Sequence, residues 1–405
     1  MSDLFILLVC LFLCGYILPS IILSILQMNH INKELKKPAI LLESDDYIQA
    51  GEYSIASLKL SIAQKILEGI MFVFWVSVGF TWLQGLSVEI NNNHYIQSIA
   101  FVLSYIIISD IIQFPFAFYE TFKLDKKYGF THQTLGLFLS DTFKKLLITF
   151  VLGSLIAFLL IFIIEQFEHW WIVGFFTLLC VVILANLIYP TIIAPMFNKF
   201  TPLDDENLKA RIESLMNKSG FKSNGIFVID ASRRDERLNA YFGGLGKSKR
   251  VVLFDTLLDK ISSDGLIAIL GHELGHFKHK DLLKNIGIMA FVLFILFFVV
   301  GHLPVALFDT LGIDYDGAGV LVTLILIAPI ISFWFMPLIG YFSRRAEYAA
   351  DEYGASLSSK HCLANALVRL VNENKSFPSS HPAYIFFYYT HPPLLQRLKA
   401  LDYDI

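Results

Sequence analysis

Residues 265–307 read GLIAILGHELGHFKHKDLLKNIGIMAFVLFILFFVVGHLPVAL. The first part of this stretch carries His272 and His276, four apart, with Glu273 beside them. The second part, Ile286–Leu307, is an apolar run long enough to cross a bilayer, which takes about 20 helical residues. Ser262-Ser263-Asp264 supplies good N-cap residues just before it, so a helix starts there, carries Gly265–His279 and is free to run on into the span. A fold that satisfies this stretch must hold a polar helix at the rim of a membrane.

Six further runs have the same length and character: Leu4–Leu26, Ile66–Leu86, Ile99–Phe118, Leu146–Ile164, Trp170–Met196 and Ala318–Phe342. Composition agrees with them. Hydrophobic residues make up 55% of the 405 and charged residues only 17%, against about 25% in a soluble domain. Such a chain cannot cover a water-facing surface, which excludes a plain soluble enzyme, and it is too apolar to be disordered. The net charge of −3 points to no nucleic-acid partner. Cys10, Cys14 and Cys180 lie in apolar runs and Cys362 stands alone, so no disulfide framework or cysteine zinc ribbon is expected. The first run lacks a positive segment ahead of it and reads as a retained helix.

Charge gives the runs a direction. All 32 Lys and Arg fall in four blocks, Lys33–Lys65, Lys123–Lys145, Lys199–Lys284 and Arg344–Lys399. The connections near 87–98, 165–169 and 308–317 hold none, and carry Glu89, Glu165, Glu168, Asp309, Asp314 and Asp316 instead. Strict alternation of basic and basic-free connections puts the N-terminus outside and the C-terminus in the cytoplasm. It divides the chain into 1–196 with five spans, a cytoplasmic segment 197–285, two spans within 286–342, and a C-terminal segment 343–405 on the same face as the second part. Only 197–285 reads as soluble α/β: an amphipathic helix over Asp204–Lys218, strands over Gly225–Ile229 and Arg250–Phe254, and a turn at Gly243-Gly244-Leu245-Gly246 before the latter.

His272-Glu273-Leu274-Gly275-His276 is an H-E-x-x-H motif. Residues four apart share a helix face, so both imidazoles can reach one metal ion while Glu273 serves as base for an attacking water. That is the zinc metallopeptidase arrangement, which needs three protein ligands. The metzincin pattern is excluded, because His279 and Leu282 stand where Gly and His would be required. His279 lies off the ligand face and reads as a solvated residue. The better third ligand is Glu347, in Ser343–Asp351, with Asp351 four residues on as a carboxylate able to hydrogen-bond a ligating histidine. A solvated helix end, with Arg344 and Arg345 pairing those acids, would also explain this segment.

Several separated stretches resemble the type I CAAX prenyl proteases, the seven-span membrane zinc proteases of the Ste24 type in peptidase family M48. They are Asp125–Thr134, Tyr189–Phe197, Asn239–Phe242, Arg250–Leu258, the His272 motif, the Glu347 segment and Thr390–Leu398. The resemblance implies a mainly α polytopic membrane protein, with seven transmembrane helices enclosing a chamber and a small cytoplasmic α/β metalloprotease domain. It implies zinc on His272, His276 and Glu347, with Glu273 as general base and Asp351 supporting the ligands. Asn239 would hold the substrate backbone, and His391 and Arg397 would complete the site from the C-terminal segment. Intramembrane acids face a bundle interior or a wet cavity, which is the place expected for Glu68 and Asp110. Asp235-Glu236-Arg237-Leu238 and Gly243-Gly244 depart from the family near the expected substrate edge, so the resemblance does not carry substrate range.

The expected activity is endopeptidase cleavage near the C-terminus of a peptide or protein, with or without a prenyl group, by an enzyme resident in a lipid bilayer. A tail without a retrieval signal suggests a bacterial cytoplasmic membrane. An HtpX-like quality-control protease is the alternative within the class; those are shorter with fewer spans. A transporter or channel is the alternative outside it, though neither interrupted half-helices nor internal repeats are found.

Overall fold

The computed structural model describes residues 3–244 and 249–403. Seven helices among them are long and apolar enough to span a membrane: Asp3–Glu34, Ser44–Ile90, His94–Tyr128, Leu135–Gln166, Trp170–Phe197, Asp281–Gly301 and Gly317–Leu357. Many of their large apolar side chains point outward, among them Phe143, Leu155 and Ile70. Water would penalise that surface and hydrocarbon does not. Inside, Phe12, Trp75, Phe80, Phe101, Ile161, Phe297 and Phe308 form one continuous core.

Three helix boundaries differ from the expected runs for physical reasons. The second helix starts at Ser44, far ahead of Ile66, because its polar first half buries Tyr47, Ala50 and Leu58 against neighbouring elements. The sixth stops at Gly301, short of Leu307, since Pro304 has no N–H to continue the ladder. The motif helix does not run on into the sixth span. It ends at Lys278, and Lys280 takes a left-handed conformation with φ +57° before a new helix begins at Asp281.

The soluble segment forms a four-stranded sheet of β1 (Phe200–Pro202), β2 (Ile226–Ile229), β3 (Ala240–Gly243) and β4 (Arg250–Phe254), in the order β1-β2-β4-β3. Only β2 and β4 run parallel, and β3 is an edge. The expected amphipathic helix is Glu206–Ser219, capped by Asp205 accepting from the Leu208 N–H at 3.0 Å. Leu245 and Gly246 of the expected turn lie outside the described residues.

Two contacts place the motif helix against the seventh span. A Cβ on Gly275 would stand 2.7 Å from the Ala350 Cα, and one on Gly354 would stand 2.7 Å from the His272 backbone nitrogen. Only glycine permits such an approach, and it brings Glu347 and Asp351 over the histidines. A second set of contacts ties the soluble segment to the membrane helices. Arg234 donates to both carboxylate oxygens of the buried Asp141, at 2.8 and 3.0 Å. Arg237 donates to Asp125 at 3.0 Å, to Asp235 at 2.8 Å and to the Tyr53 hydroxyl at 2.6 Å. Asp235 and Arg237 are therefore engaged in this clamp, and Glu236 pairs with Lys260 at 3.7 Å.

Candidate active site

His272 and His276 leave the motif helix on one face, their rings 4.9 Å apart between centroids. Each has its Nδ1 occupied by a carboxylate. The Nδ1 of His272 lies 2.8 Å from an Asp351 oxygen, and that of His276 lies 3.0 Å from an Asp281 oxygen. Carboxylates only accept, so both rings carry a proton on Nδ1, which leaves Nε2 as the atom each ring can offer to a metal. Those Nε2 atoms converge on Glu347, at 3.5 Å from one oxygen and 3.3 Å from the other. One ligand atom from each of the three residues falls within 4.8 Å of the other two.

Glu347 is 3% exposed, and its Oε2 accepts no hydrogen bond, facing the Arg397 guanidinium at 3.3 Å and the His272 Nε2 at 3.5 Å. A buried carboxylate oxygen without a hydrogen bond, set against two imidazole Nε2 atoms, is an acceptor that a bound cation would satisfy. The donor set, two imidazole Nε2 atoms and a carboxylate, fits a metal ion. Arg344 and Arg345 do not neutralise these acids: Arg344 donates to the Ile385 and Tyr389 carbonyls and Arg345 to the Tyr341 hydroxyl. The solvated-end explanation of this segment is excluded.

Arg397, 8% exposed, grips Asp351 with two hydrogen bonds of 2.8 and 2.6 Å and reaches Glu347 at 3.3 Å. Its main partner is Asp351, so it fixes the carboxylate that fixes His272. His391 stands on the entry turn before Pro392-Pro393, its Nε2 3.2 Å from Glu347 and its ring open to the site. Asn239 is exposed at the start of edge strand β3, its side-chain oxygen accepting from the Ala240 N–H at 2.8 Å. Burial pushes the Glu273 carboxyl above its usual range, against the opposing pull of His272 and His276. Burial alone would depress His276, but the hydrogen bond and charge of Glu347, aided by Asp281, push it up to about 9.

Asp281 was missed in the sequence. It lies five residues beyond His276, on the wrong face of any continuous helix, and reaches the ring only through the break at Lys280. His279, expected in solvent, is half-buried against Tyr353 and stands outside the three-residue cluster. Glu68 lines an interior cavity of about 250 Å³ with Tyr105, Ser109 and Gln113, and pairs with Lys65 at 2.7 Å. Asp110 is exposed and lies outside that lining.

Residues 202–405 match the model of peptidase family M48, and residues 22–199 match that of the CAAX prenyl protease N-terminal region, five membrane helices. The chain is 32% identical to CAAX prenyl protease 1 of Saccharomyces cerevisiae, over 91% of this chain and 89% of that protein. It is 32% identical to the human CAAX prenyl protease 1 homolog, over 83% and 79%. The crystal structure of S. mikatae Ste24p superimposes with a TM-score of 0.90 at 28% identity, covering 99% of each chain. A seven-helix membrane body, a metal-fitting motif and matches along nearly the whole length agree: the chain belongs to peptidase family M48, as a multi-pass membrane metalloprotease.

Proposed function

We propose that this protein is a zinc endopeptidase that cuts near the C-terminus of CAAX-type protein substrates. The observation that carries the proposal is the convergence of two Nε2 atoms and the Glu347 carboxylate, with each Nδ1 held by its own acid. His272, His276 and Glu347 would hold the ion, a histidine–carboxylate set that suits Zn²⁺ and leaves a position open. Bound there, zinc would supply a Lewis acid that activates water and polarises a carbonyl. Glu273, raised by burial, takes the proton of the attacking water and returns it to the leaving amine. His391 donates to the carbonyl oxygen as negative charge develops on it. The substrate backbone pairs with the free edge of β3, and the side-chain NH₂ of Asn239 donates to it.

The relatives' names supply the CAAX substrate class, and the exposed apolar belt supports a bilayer around the seven helices. The alternation of basic and basic-free connections supports an outside N-terminus, a cytoplasmic C-terminus and the four-part division at 196, 285 and 342. The relatives named above are eukaryotic, which gives the bacterial membrane no support. Labelling of introduced cysteines tests the orientation: near Asn92 and Asp314 from outside, near Lys36 and Lys126 from the cytoplasm. For the activity, purified protein is analysed for zinc and given peptides ending in C-a-a-X, prenylated and not. A zinc-loaded protein that cleaves none of them overturns the proposal.

A further inference from the structure

A cavity of about 440 Å³ opens beside the metal-fitting cluster, its lining shared by Glu273, His276, Phe221, Phe242, Phe277 and Lys249. The three phenylalanines form one surface. Phe221 stands edge-on to Phe242 and to Phe277, with 4.8 Å between centroids in each case. Lys249 lays its ammonium over that surface, 4.2 Å from the Phe277 centroid and 5.3 Å from that of Phe221. Among the described residues it has no carboxylate partner. Lys278 and Lys280 also line the cavity, but they stand at the carbonyl end of the motif helix, where positive charge offsets the dipole. Lys249 has no such duty. It is half-buried beyond a strand edge, held by ring faces, with its donors unclaimed.

Chemistry decides which side of a substrate belongs here. Glu273 returns its proton to the leaving amine, so the residues that follow that amine extend from Glu273. A cavity that Glu273 lines receives this leaving side. Gly243 and Gly244 line the same cavity and add no side chain to it. Resting on the proposal that the substrate is cut near its C-terminus, we propose that the cavity takes the leaving segment: an apolar side chain against Phe221, Phe242 and Phe277, and the terminal carboxylate on Lys249. An apolar floor with a cation held over its rings matches a short apolar peptide that ends in one negative charge.

The test uses the full-length protein in neutral-lipid vesicles with two forms of one prenylated C-a-a-X peptide, free acid and C-terminal amide. The wild type should cleave the acid with a kcat/KM about tenfold higher, expressed mainly in KM, as one charge-assisted hydrogen bond provides. Lys249→Gln should bring the acid-to-amide ratio close to one, and Lys249→Arg should restore the preference. Phe242→Ala should lower selectivity for bulky apolar residues just after the scissile bond. Equal cleavage of acid and amide by the wild type overturns the inference while leaving the proposed function standing. Failure to cleave either form, with zinc bound, overturns the proposed function itself. If Lys249→Gln keeps the acid preference and instead changes only the response to added anionic lipid, the cation serves a lipid headgroup and the inference falls.

Discussion

Replacing Asp281 by alanine removes one contact from the site and leaves every expected metal ligand in place. The carboxylate accepts from the His276 Nδ1 at 3.0 Å and from Lys284 at 2.8 Å. Lys284 is largely exposed and loses little when released into water. His276 loses the acceptor that keeps its proton on Nδ1, so the ring can turn or place a proton on Nε2, where the metal must bind. A hydrogen bond to a charged acceptor contributes about 1.5–3 kcal/mol, and zinc affinity should fall roughly 10- to 100-fold. The assay is zinc competition against a chromophoric chelator, on protein in detergent. Asp281 also sits in the first turn of the sixth span, where a negative charge favours the helix dipole by about 0.3–1 kcal/mol. Thermal unfolding separates the two roles: a helix effect lowers Tm with or without metal, whereas a ligand-orienting effect shrinks only the gain in Tm on adding zinc. Wild-type zinc affinity in Asp281→Ala would refute the role assigned to it. Asp351→Ala is the poorer experiment, because it also strands the buried Arg397.

Three further outcomes are expected. Glu273→Gln should retain zinc and lose nearly all cleavage, whereas Glu347→Ala should lose zinc as well; full zinc content in Glu347→Ala would mean another third ligand. His391→Ala should keep zinc and lower kcat by roughly 100-fold, the cost of one donor to a developing oxyanion, with zinc content and steady-state kinetics as the two readings. Metal affinity should climb with pH. His276, raised to about 9 in the metal-free protein, holds a competing proton below that value and none above it, so affinity gains up to about tenfold per unit and levels off beyond pH 9. Chelator competition from pH 6 to 9.5 that stays flat would contradict this.

The metal cluster was largely legible in the chain, because it is written in helical spacing: His272 with His276, Glu347 with Asp351. The seven apolar runs were legible for the same reason, since crossing hydrocarbon demands length and composition. What escaped depends on contacts between distant segments. No glycine or proline marks the break at Lys280; a lysine adopts the left-handed conformation there at a cost of about 1–2 kcal/mol, offset by the contacts it permits. Asp281 was invisible because its role exists only after that break. Asp141 reads as one of the charges at the polar start of the helix, beside Lys144 and Lys145, because its partner Arg234 is far along the chain. Asp235 and Arg237 stand out in the sequence as departures from the family near the substrate edge, and the clamp onto Asp125 and Tyr53 gives them a structural part.

The helix Gly317–Leu357 runs without interruption through 41 residues, past Pro329 and Pro337, from its membrane stretch to Glu347 and Asp351. At 1.5 Å per residue it is a rod of about 60 Å. No loop separates its two ends. One residue added between Phe342 and Glu347 would turn the carboxylate about 100° around the axis and carry it off the histidines, with every ligand still present in the chain. The winding of a hydrophobic segment is thus also the dial setting of a hydrolytic centre. A tilt that a thicker or thinner bilayer imposes on this helix reaches Glu347 through the same continuous backbone, less whatever bend Pro329 and Pro337 take up.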